Sequence, residues 1–211
     1  MLISSYNQAA LGDVMIIYLA PDTKEQSIET KGAFTRIFDP ETDQTLGYNV
    51  DQVSAILGEL NENGQVFLTE AQVAKLNDGL SEAGFEPELK ADLESKFIVG
   101  YVESAEPHPD SNHMLVTKTR VQNDQTVQIV SGSPNMQADI KVVVAEVGAM
   151  MPNGQIIWPG KLRGVESDGM ISSGRELQIP GAPDRPGALI LPDDYEVGTP
   201  FDFDKAQTLF S

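Results

Sequence analysis

The sequence of 211 residues contains no cysteine, and this absence excludes several classes of protein. A disulfide framework and a thiolate metal site both require cysteine, so neither is available, and the composition fits a reducing compartment. Residues 1–13 carry no basic region of the kind that begins a signal peptide, and the apolar run at residues 14–20 is too short to cross a bilayer. We therefore expect a soluble, cytoplasmic protein with no membrane partner.

Positive charge is scarce. The chain has 14 basic and 32 acidic residues and a net charge of −18, the opposite of the usual footprint of a nucleic-acid-binding protein. Residues 1–96 hold 6 basic and 17 acidic residues, a net charge of −11, whereas residues 97–211 hold 8 and 15, a net charge of −7. The second half is therefore the less repulsive one for phosphate.

Groups that carry catalysis are also few. The two histidines, His108 and His113, stand on a proline-interrupted turn without regular metal-ligand spacing. Residues 131–133 lack the Gly-x-Ser-x-Gly elbow of serine hydrolases. The glycine-rich stretch at residues 181–187 lacks a phosphate-loop lysine and the glycine spacing of dinucleotide-binding loops. The sequence predicts no enzyme, no cofactor and no metal site.

Residues 1–88 read as a small α+β domain of unknown role. Residues 14–19 form an apolar run typical of a buried strand, and two further strands are expected around residues 32–38 and 45–50. Thr69 and Gln72 form a capping-box pattern ahead of apolar residues at helical spacing, which predicts a helix. The charged stretch at residues 89–96 is interpreted as a linker.

Residues 97–211 change to short β segments separated by glycine and proline, which favours a small barrel or a sandwich. Ser133 and Pro134 are suited to begin a short helix between the third and fourth of these strands. Five strands with a helix at that place would make an OB-like barrel. The predicted strands lie at residues 97–103, 114–121, 126–130, 141–147 and 156–158, with later ones around 169–172 and 188–191.

Three blocks of this half resemble a known family. They are residues 99–103 followed by the His-Pro-Asp of 108–110, residues 128–135, and residues 160–177 with their Gly-Lys-Leu-Arg-Gly core. In this order and spacing they resemble the tRNA-binding domain of the bacterial phenylalanyl-tRNA synthetase beta chain, of EMAP-II-like proteins and of stand-alone YtpR-type proteins. The resemblance covers about residues 97–195. It implies an OB-fold barrel and tRNA binding without catalysis, and it makes a homodimer a candidate assembly because such proteins are often dimers. We expect no DNA partner.

The sequence departs from the family pattern in positive charge. Asn112 and His113 stand where the family usually has an acidic residue and a lysine, and Trp158 and Pro159 occupy an approach that often carries further lysines. Each change removes a cation that a phosphate could contact. The departures therefore bear on RNA affinity rather than on fold.

Lys161 and Arg163 are the leading candidates for contact with tRNA, because Gly160 and Gly164 beside them allow a tight turn close to a ligand. Arginine can grip a phosphate with two parallel bonds, and lysine supplies a mobile charge. The alternative is that both pair with nearby carboxylates as ordinary surface salt bridges.

Further candidates come from the predicted strands and turns. Lys118 and Arg120 alternate with threonines and so project from one strand face, which is the usual nucleic-acid surface of an OB fold or merely a solvated edge. Trp158 is suited either to stack on an unpaired base or to pack in the core. The remaining candidates are the turn residues Ser131, Ser133 and Asn135, which have a purely structural alternative as a turn and a helix cap, and the weaker Arg175 and Lys141.

Two functions from different classes follow. The first is a non-catalytic tRNA-binding protein that contacts RNA by shape and backbone. The second is an OB-type adaptor for protein partners with weak or no RNA binding, which the net charge of −18 favours. Residues 197–203 are consistent with either a barrel edge strand or a seam between two copies.

Overall fold

The computed structural model describes residues 1–61 and 63–210, and it separates the chain into two units, Met1–Glu94 and Ser95–Ser211. The predicted second domain reaches Ser211, which lies outside the described residues. No helix within residues 1–61 and 63–210 is long and apolar enough to span a membrane.

The first unit is an antiparallel sheet of six strands with three helices. The strands are β1 (Ile3–Tyr6), β2 (Val14–Tyr18), β3 (Ser27–Lys31), β4 (Phe34–Phe38), β5 (Thr45–Asp51) and β6 (Gly64–Val66). The helices are α1 (Gln8–Leu11), α2 (Val53–Leu57) and α3 (Glu70–Ala83). The sheet order is β3-β4-β5-β2-β1-β6, so β4 and β5, the two strands expected around residues 32–38 and 45–50, pair with each other, and β5 lies beside the predicted buried strand β2.

Helix α3 shows why this unit folds as its sequence predicts. Thr69 and Gln72 form the reciprocal capping box, in which the Thr69 N–H donates to Gln72 Oε1 at 2.9 Å. Val73, Leu76 and Leu80 fall on one face and are buried in the core of this unit. These local signals confirm the predicted helix, and the α+β class of the unit with it.

The second unit is a nearly closed antiparallel barrel, as predicted. Its main sheet has the order β13-β10-β7-β8-β9, with β14 also paired to β10, while β11 and β12 form a separate hairpin. The strands are β7 (Phe97–Pro107), β8 (Leu115–Arg120), β9 (Thr126–Ser131), β10 (Ile140–Ala145), β11 (Gly160–Leu162), β12 (Val165–Ser167), β13 (Met170–Ile171) and β14 (Ile190–Leu191). A 3-10 turn (Gln122–Asp124) and a short helix, α4 (Phe203–Ala206), complete it.

The barrel closes where the chain passes from β12 into β13. The Asp168 N–H donates to the Gln128 carbonyl at 2.9 Å on the edge of β9, and β13 then pairs with β10 on the far side of the sheet. Gly169 stands between them with φ 140°, and a Cβ at that position would come within 3.0 Å of the Ala145 carbonyl. A glycine is therefore required where the two ends of the sheet approach.

Two predicted details of this unit are corrected. Ser133 begins only a turn, in which the Met136 N–H reaches the Ser133 carbonyl at 3.1 Å, because the chain then bends at Asp139 (φ 62°) to enter β10. Residues 156–158 form an isolated bridge between Ile156 and Met150 rather than a strand.

Residues 197–203, for which an edge strand and a seam between two copies were both open, lie along the start of β7. Gly198 and Phe201 donate backbone bonds to it, and Pro200 forms an isolated antiparallel bridge with Ile98. The segment is therefore an irregular edge rather than a regular strand, and α4 begins at Phe203.

Candidate nucleic-acid interface

The hairpin of β11 and β12 presents the two leading candidates. Leu162 pairs with Val165, so Arg163 and Gly164 alone form the turn, and both have positive φ, 46° and 84°. This is the pattern of a type I′ turn, the two-residue hairpin connection that suits strand twist. Lys161 is 62% exposed and its Nζ lies 3.5 Å from Glu166 Oε1, a pair open enough to water for a phosphate to compete for the lysine.

A buried histidine fastens this hairpin to the barrel. His108 Nδ1 accepts a hydrogen bond from the Asp110 N–H at 3.0 Å, so Nε2 carries the proton and donates to the Leu162 carbonyl at 3.0 Å. Arg163 Nη1 in turn donates to the Asp110 carbonyl at 3.0 Å. Because His108 is only 3% exposed, the two bonds of its ring are partly shielded from water and set the position of the turn, whereas the bond from Arg163 is exposed.

The hairpin lies beside the outer face of β8 and β9. Lys118 stands directly opposite Gln128, and Gln128 Nε2 donates to the Glu166 carbonyl at 2.8 Å. Glu166 in turn stands opposite Lys161 in the hairpin. Lys118, Lys161 and Arg163 therefore occupy one continuous surface, which we call the cation row.

Lys118 and Arg120 differ in availability although both point outward. Thr117 and Thr119, which alternate with them, are fully buried, as the predicted strand face requires. No carboxylate pairs with Lys118 within residues 1–61 and 63–210. Arg120 instead lies 3.3 Å from Glu103 Oε1 and 3.6 Å from Asp124 Oδ1.

Arg120 is further held by the aromatic ring of Tyr101, whose centroid is 5.5 Å from its guanidinium carbon. Tyr101 Oη donates to Asp139 Oδ1 at 2.8 Å, and this bond, with partial burial, raises the pKa of the Tyr101 hydroxyl. The carboxylates of Glu103, Asp124 and Asp139 thus lie around Arg120 and Tyr101, on the paired strands β8 and β7. The positive charge of Arg120 is largely balanced within the protein.

The turn residues Ser131, Ser133 and Asn135 stabilise their own turn and a distant loop of the second unit. Ser131 is 5% exposed and its Oγ accepts from the Ser133 N–H at 3.2 Å. The Asn135 amide makes two bonds to the backbone of Ala188, at 2.9 Å and 2.8 Å. Asn135 therefore holds the loop of residues 181–189 in place through one donated and one accepted bond.

The other candidates are dispersed. Arg175 Nη1 pairs with Asp184 Oδ1 at 3.2 Å near that loop. Trp158 is half-buried in the segment before β11, where the neighbouring Ile157 bonds to Ala149 and is buried. Lys141 does not join the cation row, because its Nζ donates to the carbonyls of Asp193 and Tyr195, each at 2.7 Å.

Sequence reasoning missed the residues that join the parts of this surface. His108 and Gln128 lie in the blocks that resemble the family, but the sequence does not predict their positioning roles, since they donate to backbone carbonyls 54 and 38 residues away. The signal that could have found His108 is its place in a His-Pro-Asp turn within a recognisable block. Within residues 1–61 and 63–210, no group of three His, Cys, Asp or Glu side chains could hold a metal ion.

Comparison with known proteins gives two family models. One, described as "Putative tRNA binding domain", matches residues 97–200, and the other, "Domain of unknown function (DUF4479)", matches residues 21–92. A Bacillus subtilis protein named "Putative tRNA-binding protein YtpR" is 45% identical over 199 residues, covering 94% of this chain and 98% of its own length.

Phenylalanine–tRNA ligase beta subunits match a smaller part of this chain. The phenylalanine–tRNA ligase beta subunit of Nitratidesulfovibrio vulgaris is 39% identical over 132 residues, and that of Ralstonia nicotianae is 41% identical over 133 residues. These matches cover 61% and 59% of this chain but only 16% of each ligase subunit. A crystal structure of the C-terminal domain of Plasmodium vivax p43 is 27% identical and covers 48% of this chain and 56% of its own, with a TM-score of 0.35.

Proposed function

This chain belongs to the YtpR family, whose members carry the tRNA-binding domain found here at residues 97–200, and from this premise we propose that it binds tRNA without catalysing a reaction. The contact is made by the barrel of the second unit. The phenylalanine–tRNA ligase beta subunits share this domain, but the match covers only 16% of their length, so their activity does not transfer.

The cation row is the observation that carries the proposal. Lys118 has no carboxylate partner among the described residues, Lys161 is 62% exposed, and Arg163 lies at the tip of a fastened hairpin. Three cations on one continuous surface can follow a sugar-phosphate backbone, which supplies affinity without reading sequence. The surface therefore suits recognition of RNA by shape.

Leu162 adds an apolar element to the cation row. It is 46% exposed between Lys161 and Arg163, while its carbonyl accepts the bond from His108. An exposed leucine at this place can lie against a ribose or the face of an unpaired base. This contact favours RNA with accessible nucleotides over a uniform duplex.

The number of available cations predicts the salt dependence. Arg120 faces two carboxylates and Arg175 lies near the 181–189 loop, so the proposal assigns phosphate contacts chiefly to the three residues of the cation row. Three contacts correspond to a slope of log K against log salt of about −2 to −3. Ser131, Ser133 and Asn135 are assigned a supporting role in the 133–135 turn, and Trp158 a supporting role in the segment before β11.

Binding of bulk tRNA tests the proposal. The full chain is titrated into fluorescently labelled tRNA at low salt and followed by anisotropy, with duplex DNA of the same charge as competitor. The proposal predicts saturable binding that DNA competes with poorly. No binding at low salt, where phosphate contacts are strongest, would refute it and favour the protein-adaptor alternative.

Two further parts of the proposal concern the location of the protein in the cell and its oligomeric state. The cytoplasm is proposed as its location because tRNA is its ligand. Association as a homodimer, which the family resemblance implies, remains a prediction, and sedimentation equilibrium over a hundredfold range of concentration tests it.

A further inference from the structure

The second unit contains a groove of about 650 Å³ that is separate from the cation row. It lies between the turn at residues 133–135 and the loop at residues 181–189. Its volume falls within the range of small-molecule sites, roughly 300–1,000 Å³. Pro134, Pro183 and Pro186 supply much of its wall, and Phe210 closes one side.

Two glycines lie where the walls of the groove pack closely together. A Cβ at Gly174 would stand 3.2 Å from the Phe210 ring and 3.0 Å from the Ala182 Cβ. A Cβ at Gly187, where φ is 148°, would lie 3.3 Å from Asn135 Oδ1. A side chain at either position would press against these neighbours, so the observed packing of the walls favours glycine at both.

The loop that forms one wall is held before any ligand arrives. The Asn135 amide both donates to and accepts from the backbone of Ala188, as described above. Ser173 on the opposite wall is fixed by Glu176, which accepts from the Ser173 N–H at 2.7 Å and from its Oγ at 2.6 Å. Fixed walls reduce the entropy that binding would otherwise cost.

Arg185 gives the groove its charge. It is exposed on the loop at the groove wall, and no carboxylate pairs with it within residues 1–61 and 63–210. The neighbouring carboxylate of Asp184 is already engaged by Arg175. A free arginine beside a groove that is walled in part by prolines and Phe210 suits a ligand with a flat apolar part and a phosphate.

Strand β9 leads along the chain from the cation row to this groove. Gln128 on β9 stands opposite Lys118 of the cation row. The strand ends at Ser131, and Gly132 then continues directly into the 133–135 turn, whose Pro134 and Asn135 line the groove. The cation row and the groove therefore lie at the two ends of one short segment of the barrel.

We propose that the groove takes one unstacked nucleotide of the bound RNA, with its phosphate on Arg185 and its base against the proline walls and Phe210. The inference rests on the proposed function, because the same RNA supplies the backbone held by the cation row. A base that enters the groove leaves its own stack, so the groove selects single-stranded or frayed RNA over a closed duplex.

A single-stranded RNA oligonucleotide with one 2-aminopurine tests the inference, because emission rises when this base leaves its stack. The native chain is compared with Arg185→Ala, Arg185→Lys and the control Lys118→Ala. Arg185→Ala is expected to weaken binding by roughly five- to tenfold, to reduce the salt slope by about 0.7, and to abolish the emission change at saturation. Arg185→Lys keeps the charge and is expected to retain the slope.

Lys118→Ala separates the two surfaces. It is expected to reduce the salt slope by about 0.7 while leaving the emission change at saturation intact. Native-like affinity and emission change in Arg185→Ala would overturn the groove inference and leave tRNA binding standing. Failure of the native chain to bind bulk tRNA at low salt would overturn the proposed function, and the groove inference with it.

Discussion

Arg163 occupies a backbone conformation that its side chain does not favour, and replacing it tests why arginine is present. At φ 46° it is the first residue of a two-residue turn, a place where asparagine followed by glycine is preferred. The left-handed conformation costs an ordinary residue about 1–2 kcal/mol and asparagine less. Strained residues of this kind concentrate at functional sites.

Arg163→Asn should therefore make the protein more stable and its RNA binding weaker. Relief of backbone strain contributes about 1 kcal/mol, and loss of the exposed bond to the Asp110 carbonyl offsets about 0.5 kcal/mol of it. For a unit of this size, a net 0.5 kcal/mol raises Tm by about 2 °C. Loss of one phosphate contact lowers the salt slope by about 0.7.

Calorimetry and tRNA titration measure the two effects on the same samples. Arg163→Lys is the matched variant, since it keeps the charge and the strain; its Tm should not rise and its salt slope should be retained. A lower Tm in Arg163→Asn would contradict the strain argument. An unchanged tRNA affinity would show that Arg163 does not touch phosphate.

Three further predictions concern other residues. His108→Gln places an amide where Nε2 donates to the Leu162 carbonyl, and it should keep most of the tRNA affinity. His108→Ala removes this donor and should lower the tRNA affinity by about three- to tenfold. Equal losses of affinity for the two variants in anisotropy titrations would contradict a role of His108 in positioning the hairpin. Arg120→Ala should change the salt slope by less than Lys118→Ala does, because Glu103 and Asp124 already balance the charge of Arg120. Equal changes of slope for the two variants in salt titrations would contradict this balance of charge. Hydrogen bonding from Ser54 lowers the pKa of Asp13, so this carboxylate stabilises the first unit above its unfolded pKa of about 3.9, and the contribution is lost as pH falls through the lower folded value. The Tm of Asp13→Asn should lie below native at pH 7, and the gap should narrow towards pH 3; a gap independent of pH would contradict the linkage.

The parts of the fold that the sequence predicts are those with local signals. The capping box at Thr69 and the helix that follows depend on residues within one or two turns of each other. The long strands of the barrel carry alternating or continuous apolar residues, and the family resemblance supplied their arrangement. These elements could be predicted because each contains its own pattern.

The hairpin of β11 and β12 could not be predicted as strands. All three residues of β11 are exposed, so no apolar alternation marks it, and its turn is Arg-Gly rather than the usual Asn-Gly. What defines the hairpin is its attachment to the barrel through His108 and Gln128, which are distant in sequence.

The sequence also could not predict which candidate side chains already have partners in the folded protein. Lys118 and Arg120 look equivalent as alternating residues on one strand, yet only Arg120 faces two carboxylates, one of them Glu103 on the neighbouring strand β7. Asn135 looks like a free turn residue, whereas its amide makes two bonds to Ala188 in a loop 53 residues away. Partners of this kind are set by register and loop packing, which spacing along the chain does not reveal.

The central claim is that the cation row holds RNA phosphates, and a paired salt titration tests it most directly. The tRNA affinity of the native chain is measured across salt concentrations beside Lys161→Ala/Arg163→Ala and a control, Lys75→Ala/Lys90→Ala, which removes the same charge from exposed positions of the first unit. We predict that the first variant loses affinity and about 1.4 units of slope, while the control keeps the native slope. Equal slopes in all three proteins would contradict the claim.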